Sequence, residues 1–330
     1  MSLNDYLRKA FQALVNLFFQ VILSLNSILS LILMNILITG GTGFLGLALS
    51  KRLLAKGHHL TLLTRRPDYA KQNLSGAIET ISDIATLNNH YSVVINLAGE
   101  PIINQRWTQK RKALIRSSRI GLTQQLLAQL KLLPDKPDLL ISGSAIGYYG
   151  DQGDRELTEA SKSGQDFSAQ LCSDWENEAL SAEQLGIRVC ILRTGLVLGS
   201  DGGMLATLLP SFNLGLGGRL GSGQHWQSWI HKNDWLAIVE TLLTDTTMRG
   251  CYNATAPNPV RQAEFASALA KRLHRPALIA TPQWLLRGLL GEMADIILAS
   301  QRVLPQRLQE HGFTFQYPDL ERALSALDLD

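Results

Sequence analysis

Cysteine is scarce in this chain of 330 residues. The three present, Cys172, Cys190 and Cys251, are an odd number without CxxC or Cys/His ligand spacing, so neither a disulfide framework nor a zinc site is signalled. An excess of one charge is also lacking. Thirty-one basic against twenty-eight acidic residues give +3, and no Lys/Arg run or basic stripe with interleaved aromatics suggests nucleic acid. Internal repeats and low-complexity tracts are absent. What remains is a globular composition, 45% hydrophobic and 18% charged, long enough for one large or two modest domains with a sizeable core. A reducing, cytoplasmic setting is expected from the cysteine usage.

Composition shifts sharply only at the amino terminus. AFQALVNLFFQVILSLNSILSLIL, residues 10–33, carries no charge and is long enough for a bilayer core, which takes ~20 apolar residues. Against a span, Gln12, Asn16, Gln20, Ser24, Asn26, Ser27 and Ser30 dilute it, no small-residue cleavage site follows, and the strand MNILITGG begins at Met34 without a linker. Residues 1–33 are expected to be a mis-assigned or dispensable extension; the alternative is a membrane-associated helix.

From Met34 the chain alternates strand and helix: NILITG, then TGFLGLALSKRLLAKG as a helix ended by Gly57, HLTLLTRR, SVVINLAG, a long basic helix from about Arg106 to Leu130, DLLISGSA, the helix within GQDFSAQLCSDWENEAL, and RVCILRTGLVLG. Such alternation predicts an α/β fold, a doubly wound parallel sheet with helices on both faces. A first domain over 34–199 and a looser, glycine-rich substrate-facing region over 200–330 are expected.

Gly40, Gly43 and Gly46 are spaced GxxGxxG between an apolar strand and a helix, the context that dinucleotide binding requires. Without side chains, backbone amides and the helix amino terminus can approach a pyrophosphate. The second strand ends in Arg65 and Arg66, where an acid would bind the ribose 2′-hydroxyl of NAD; arginine there suits the 2′-phosphate of NADP(H). Arg65 is the firmer candidate, and Arg66 reads equally as a surface residue.

TGGTGFLG, NLAGEPI, SGSAIGYYG, LRTGLVLG and SWIHKNDW together resemble an extended short-chain dehydrogenase/reductase. More narrowly, they are similar to the SDR39U1-type epimerase family and bacterial nucleoside-diphosphate-sugar epimerases. The tail from Gly291 to Pro318 resembles the carboxy-terminal domain of that family (about 275–327), and the resemblance runs from Met34 to about Leu327. It implies a Rossmann domain holding NADP(H), with Gly40, Gly43, Phe44, Leu45 and Gly46 as phosphate loop and Arg65 and Arg66 as adenosine-phosphate contacts. Ala98, Gly99 and Glu100 would line the dinucleotide, with Arg106 just beyond. Activity as an oxidoreductase or isomerase on a small molecule such as a nucleotide sugar is implied, in a monomer or homodimer. The residues themselves leave Glu100 and Arg106 as ordinary loop charges.

The resemblance breaks at the proton chemistry. Ser144 matches the serine that orients substrate. Where a tyrosine and, four residues on, a lysine are expected, aligning the helix on Trp175 and Glu176 places Ser168 and Cys172. No tyrosine of the chain is followed by lysine at that spacing. Cys172 is either an acid or a small core residue. Tyr148 or Tyr149 could swing into the vacancy or be structural. His231 could be a general acid or a residue before a helix capped by Asp234. Arg193 could clamp a phosphate or pair with a carboxylate. Gln224, His225, Trp226 and Trp229 combine amide, imidazole and stacking surfaces suited to a sugar or nucleobase. The expected function is therefore an NADP-dependent oxidoreductase or epimerase with Ser144, Tyr149 and His231 as catalytic candidates; the alternative is an NADP(H)-binding sensor or interaction protein without turnover.

Overall fold

The computed structural model describes residues 33–103 and 105–329. The expectations for residues 1–32 lie outside them. Among the described residues no helix is long and apolar enough to cross a membrane.

Strands β1 (Asn35–Thr39), β2 (His59–Leu63), β3 (Ile78–Ile81), β4 (Val93–Asn96) and β5 (Leu139–Ala145) come first; β1, β4 and β5 are almost wholly buried, as expected of strands covered on both faces, whereas β3 at the sheet edge carries Glu79 and is partly exposed. β6 (Glu156–Leu157) is short; β7 (Arg188–Thr194), β8 (Leu196–Leu198), β9 (Trp226–Gln227), β10 (Trp229–His231), β11 (Gly250–Ala254), β12 (Val260–Arg261) and β13 (Arg302–Val303) follow. Seven of them form one sheet in the order β11-β7-β5-β4-β1-β2-β3, all parallel. The order reverses between β1 and β4, which opens a crevice at their carboxyl ends.

Helices α1 (Phe44–Ala55), α2 (Pro67–Asn73), α3 (Gln109–Arg116), α4 (Leu122–Leu132) and α5 (Phe167–Leu180) link the sheet strands. Beyond them come α6 (Gly203–Asn213), α7 (Lys232–Thr244), α8 (Gln262–Arg272), α9 (Gln283–Leu290), α10 (Met293–Leu298), α11 (Gln306–Glu310) and α12 (Leu320–Ser325). One core lies under α1 and α7, built from Ile36, Ile38, Leu49, Leu53, Trp235 and Val239; a second, with Leu37, Leu126, Leu140 and Ala179, lies on the opposite face under α4 and α5. Leu198, Phe212, Phe265 and Leu324 form a third core in the carboxy-terminal part.

One expectation about extent changes. RVCILRTGLVLG is two strands, because Gly195 passes beneath the Ser228 carbonyl, 2.6 Å from where its Cβ would stand, and β8 then pairs with β10 instead of the main sheet. The sheet also draws on residues beyond 199: α7 covers one face and β11 pairs with β7 along its length.

Candidate functional site

At the crevice, Thr39 closes β1 by donating to Asn96 Oδ1 at 2.6 Å while its hydroxyl accepts from the Ala98 amide at 3.2 Å. Gly40 follows with φ +73°, and a Cβ there would lie 2.8 Å from the Ala98 nitrogen and the Leu97 carbonyl. A Cβ on Gly46 would lie 2.1 Å from the Gly40 oxygen. Only glycine lets α1 sit so close to the loop. Gly43 begins α1 with no side-chain cap and no acidic residue in the first turn, which leaves amide donors and the positive helix end to face a ligand. Phe44 and Leu45 secure this helix start from behind. The Phe44 ring packs on the backbone of Gly199, Gly202 and Gly203, and Leu45 packs on the core.

Both arginines at the end of β2 flank this loop. Arg66 donates to the Thr42 carbonyl at 3.0 Å. Arg65 pairs with Glu100 at 3.1 Å with its side chain 89% exposed, and Arg111 approaches the other Glu100 oxygen at 3.6 Å. Ala98, Gly99 and Glu100 follow β4 directly, so they share the crevice with the glycine loop. Arg106 does not join them: its guanidinium lies 3.4 Å from the Cβ position of Gly291, against the carboxy-terminal part.

Strand register assembles the other half. Ser144 on β5, Arg193 on β7 and Asn253 on β11 stand side by side. Ser144 donates to Glu176 Oε1 at 2.6 Å, and Glu176 takes Arg193 in two bonds of 2.9 and 2.8 Å. This settles Arg193 as the partner of a carboxylate. Glu176 is on α5, whose amino end is capped by Asp166 accepting from the Ala169 amide at 2.9 Å. Helical spacing places Ser168, Cys172 and Glu176 on one face. Ser168 and Cys172 both turn to Gly147, where a Cβ would meet them at 3.4 and 3.9 Å. Burial, then the Glu176 charge, pushes the Cys172 thiol up to about 12, so it is neutral packing at pH 7.

Two catalytic candidates sit elsewhere than expected. Tyr149 is fully buried, donating to Asn253 Oδ1 at 2.7 Å and accepting from Arg193 at 3.0 Å. Burial pushes its phenol up to about 12 despite the neighbouring Arg193. It is a bracing residue because both sides of its hydroxyl are taken. His231, 3% exposed, accepts from the Asn233 amide at 3.1 Å through Nδ1 and stacks on Tyr317 at 3.8 Å. Burial, then Lys232, holds it down at about 4. His231 itself therefore caps α7. Asp234, the expected cap, instead accepts from the Gln316 and Tyr317 amides, each at 2.9 Å.

The expected stacking set is likewise committed. Trp229 is buried in the third core, and Trp226 packs against the guanidinium groups of Arg261 and Arg302, 4.1 and 4.8 Å from its ring centre. His225 is buried and Gln224 exposed.

Open space adjoins the amino end of α5. A cleft of about 100 Å³ has Gly147, Phe167 and Ser168 on the Rossmann side and Glu292 and Ile296 on the carboxy-terminal side. Trp107 closes it, edge-on to Phe167 at 4.9 Å, and Lys112 of α3 pairs with Glu292 across it. Sequence reasoning missed Glu176, Lys112 and Glu292. Only Glu176 had a signal, its place one turn beyond Cys172.

Residues 36–254 match the NAD dependent epimerase/dehydratase family. Residues 281–327 match a domain of unknown function, DUF1731. The epimerase family protein SDR39U1 homolog, chloroplastic, of Arabidopsis thaliana is 39% identical over 302 residues, covering 89% of this chain and 86% of its own. Among solved structures, human epimerase family protein SDR39U1 (isoform 2) with NADPH is 32% identical with a TM-score of 0.80, covering 88% of this chain and 98% of that one. The nucleoside-diphosphate sugar epimerase of Corynebacterium glutamicum is 34% identical with a TM-score of 0.71, covering 89% and 57%. Glycine crevice, parallel sheet and sequence agree: the chain belongs to the NAD dependent epimerase/dehydratase family.

Proposed function

We propose that this protein is an NADP(H)-dependent oxidoreductase or epimerase acting on a small polar alcohol or carbonyl compound, with a nucleotide sugar as substrate class. The observation that carries the cofactor is the crevice. It joins a loop too tight for a Cβ at Gly40 and Gly46, an uncapped α1 amino terminus, and a β2 end with Arg65 and Arg66 and no carboxylate. These residues fit a dinucleotide with a 2′-phosphate. The substrate class rests on the nucleoside-diphosphate sugar epimerase that is 34% identical.

Bound NADP(H) supplies a hydride donor or acceptor. The chain's own residues orient the substrate and handle its proton. Ser144 gives its hydroxyl proton to Glu176 at 2.6 Å, which leaves its lone pairs to accept from a substrate hydroxyl. Glu176 keeps its place through Arg193. Trp107 and Phe167 wall the cleft where Ser168 stands in for the expected tyrosine, and proton exchange there is assigned to water between Ser168 and the substrate.

A second reading, an NADP(H)-binding sensor without turnover, is favoured by the burial of Tyr149 and His231 and the neutral Cys172 thiol. Thermal melts with NADPH and NADH, followed by a hydride-turnover screen with nucleotide sugars, separate the two. NADPH at a hundred times its Kd should add about 2.7 kcal/mol. Stabilisation by neither dinucleotide refutes both readings. Stabilisation without turnover on any substrate, unchanged in Ser144→Ala, selects the second.

A further inference from the structure

α3 does not run directly into α4. A π turn, Ser117–Gly121, intervenes, and such turns are rare and frequent at functional sites. It is tied to the sheet edge. The Thr123 hydroxyl donates to the Arg119 carbonyl at 2.7 Å and accepts from Asn96 Nδ2 at 2.8 Å and Trp175 Nε1 at 3.1 Å. The turn carries Arg119 back over the end of β4. Its guanidinium lies on Gly99 so closely that a Cβ there would be 2.7 Å from Cζ.

Only one edge of this guanidinium is held by protein. Nη1 donates to the Glu100 carbonyl at 3.0 Å. Nε and Nη2 have no hydrogen-bond partner among the described residues, yet neither is a sealed, buried atom. The cation stands 5.5 Å from the Trp175 ring centre, and its charge acts on Cys172. Burial lowers the Arg119 pKa, the response of a charged group drawn from water without a full set of partners. On the NADP(H) reading above, an adenosine end at β2 and a pyrophosphate at α1 would carry the nicotinamide half past the end of β4, where Arg119 lies on Gly99.

We propose that Arg119 supplies, from the α3–α4 side of the crevice, the cation absent at Cys172, its Nε and Nη2 donating to the oxygens of the nicotinamide-side ribose. This rests on the NADP(H) reading above. A planar fork of donors suits two adjacent hydroxyls.

The test is calorimetric titration of NADPH and of 2′,5′-ADP, which lacks the nicotinamide half, into the wild-type protein, Arg119→Ala, Arg119→Lys and Arg119→Gln, with melts of each unliganded protein. Loss of a charge-assisted contact should weaken NADPH ~10- to 150-fold in Arg119→Ala, leave 2′,5′-ADP within twofold, and be partly restored by lysine. Should the alanine variant lose its fold along with the Glu100 contact, the lysine and glutamine variants carry the comparison: lysine should bind NADPH more tightly than glutamine. NADPH binding within twofold of wild type in the folded variants, or an equal loss for 2′,5′-ADP, overturns the assignment. A wild-type protein that binds neither ligand refutes the dinucleotide reading itself.

Discussion

Replacing Glu176 with glutamine tests whether the buried network fixes the site. Side chains of Glu176 and Arg193 are each 4% exposed, joined at 2.8 Å through one oxygen and 2.9 Å through the other, with Ser144 adding a third bond. Burial alone would press the Arg193 pKa down; its hydrogen bonds and attraction to Glu176 overcome that and hold it above the usual value. Glutamine preserves shape but removes the charge, so Arg193 is left with the Tyr148 ring at 3.5 Å and neutral acceptors. Breaking one side of such a pair costs about 3–5 kcal/mol. At roughly 2–4 °C per kcal/mol for a chain beyond 150 residues, melting should fall by about 6–20 °C. Urea unfolding followed by circular dichroism, on Glu176→Met, Arg193→Met and the Glu176→Met/Arg193→Met double variant, gives the cycle, with Glu176→Gln measured beside it. The double variant should be more stable than Glu176→Gln, because no charge is left unpaired. A loss under about 1 kcal/mol in Glu176→Gln, or single effects that simply add in the double variant, refutes a coupled buried pair.

Arg66→Ala should weaken NADPH ~10- to 150-fold and leave NADH within twofold by titration; equal losses for both would place Arg66 as a brace of the Thr42 loop only. For pH, His231 falls from 6.5 unfolded to about 4 folded, so the unfolded chain binds more protons between those values. Stability from its neutral form is therefore full above pH 6.5 and lost as pH drops towards 4, on the order of 3 kcal/mol. Unfolding at a series of pH values should show a shallower acid loss in His231→Asn, whose side chain can still cap α7; an unchanged slope refutes the assignment.

The cofactor half was legible because its signals are local. Gly40, Gly43 and Gly46 are read from one strand-loop-helix junction, and Arg65 and Arg66 from the end of the next strand. The proton half depends on register. Nothing in the sequence says that Ser144, Arg193 and Asn253 share a row, so Arg193 had two open roles and Tyr149 looked mobile. Asp234 has the spacing of a cap, but its partners, the Gln316 and Tyr317 amides, lie more than eighty residues away. The π turn at Ser117–Gly121 has no residue signature; Thr123 and Asn96 impose it through tertiary bonds.

The departure from the expected tyrosine and lysine is an inversion of charge. On the helix face where the resemblance implies a cation at Cys172, α5 presents a neutral thiol and, one turn later, the carboxylate of Glu176. Arg193 neutralises that carboxylate from the sheet side, and four of its five N–H donors go to Glu176, Tyr149 and Glu159. Arg193 is therefore held in the buried network by Glu176 and Tyr149. On the NADP(H) reading proposed above, a cation for the nicotinamide half would come from another element, and Arg119 is a guanidinium beside Gly99 with donors to spare. Ser144, bonded to Glu176, would on that reading meet a substrate hydroxyl as an acceptor. If the protein turns over as proposed, proton exchange with the substrate falls to solvent at Ser168, and turnover should then depend on how far Trp107 and Phe167 close the cleft over it.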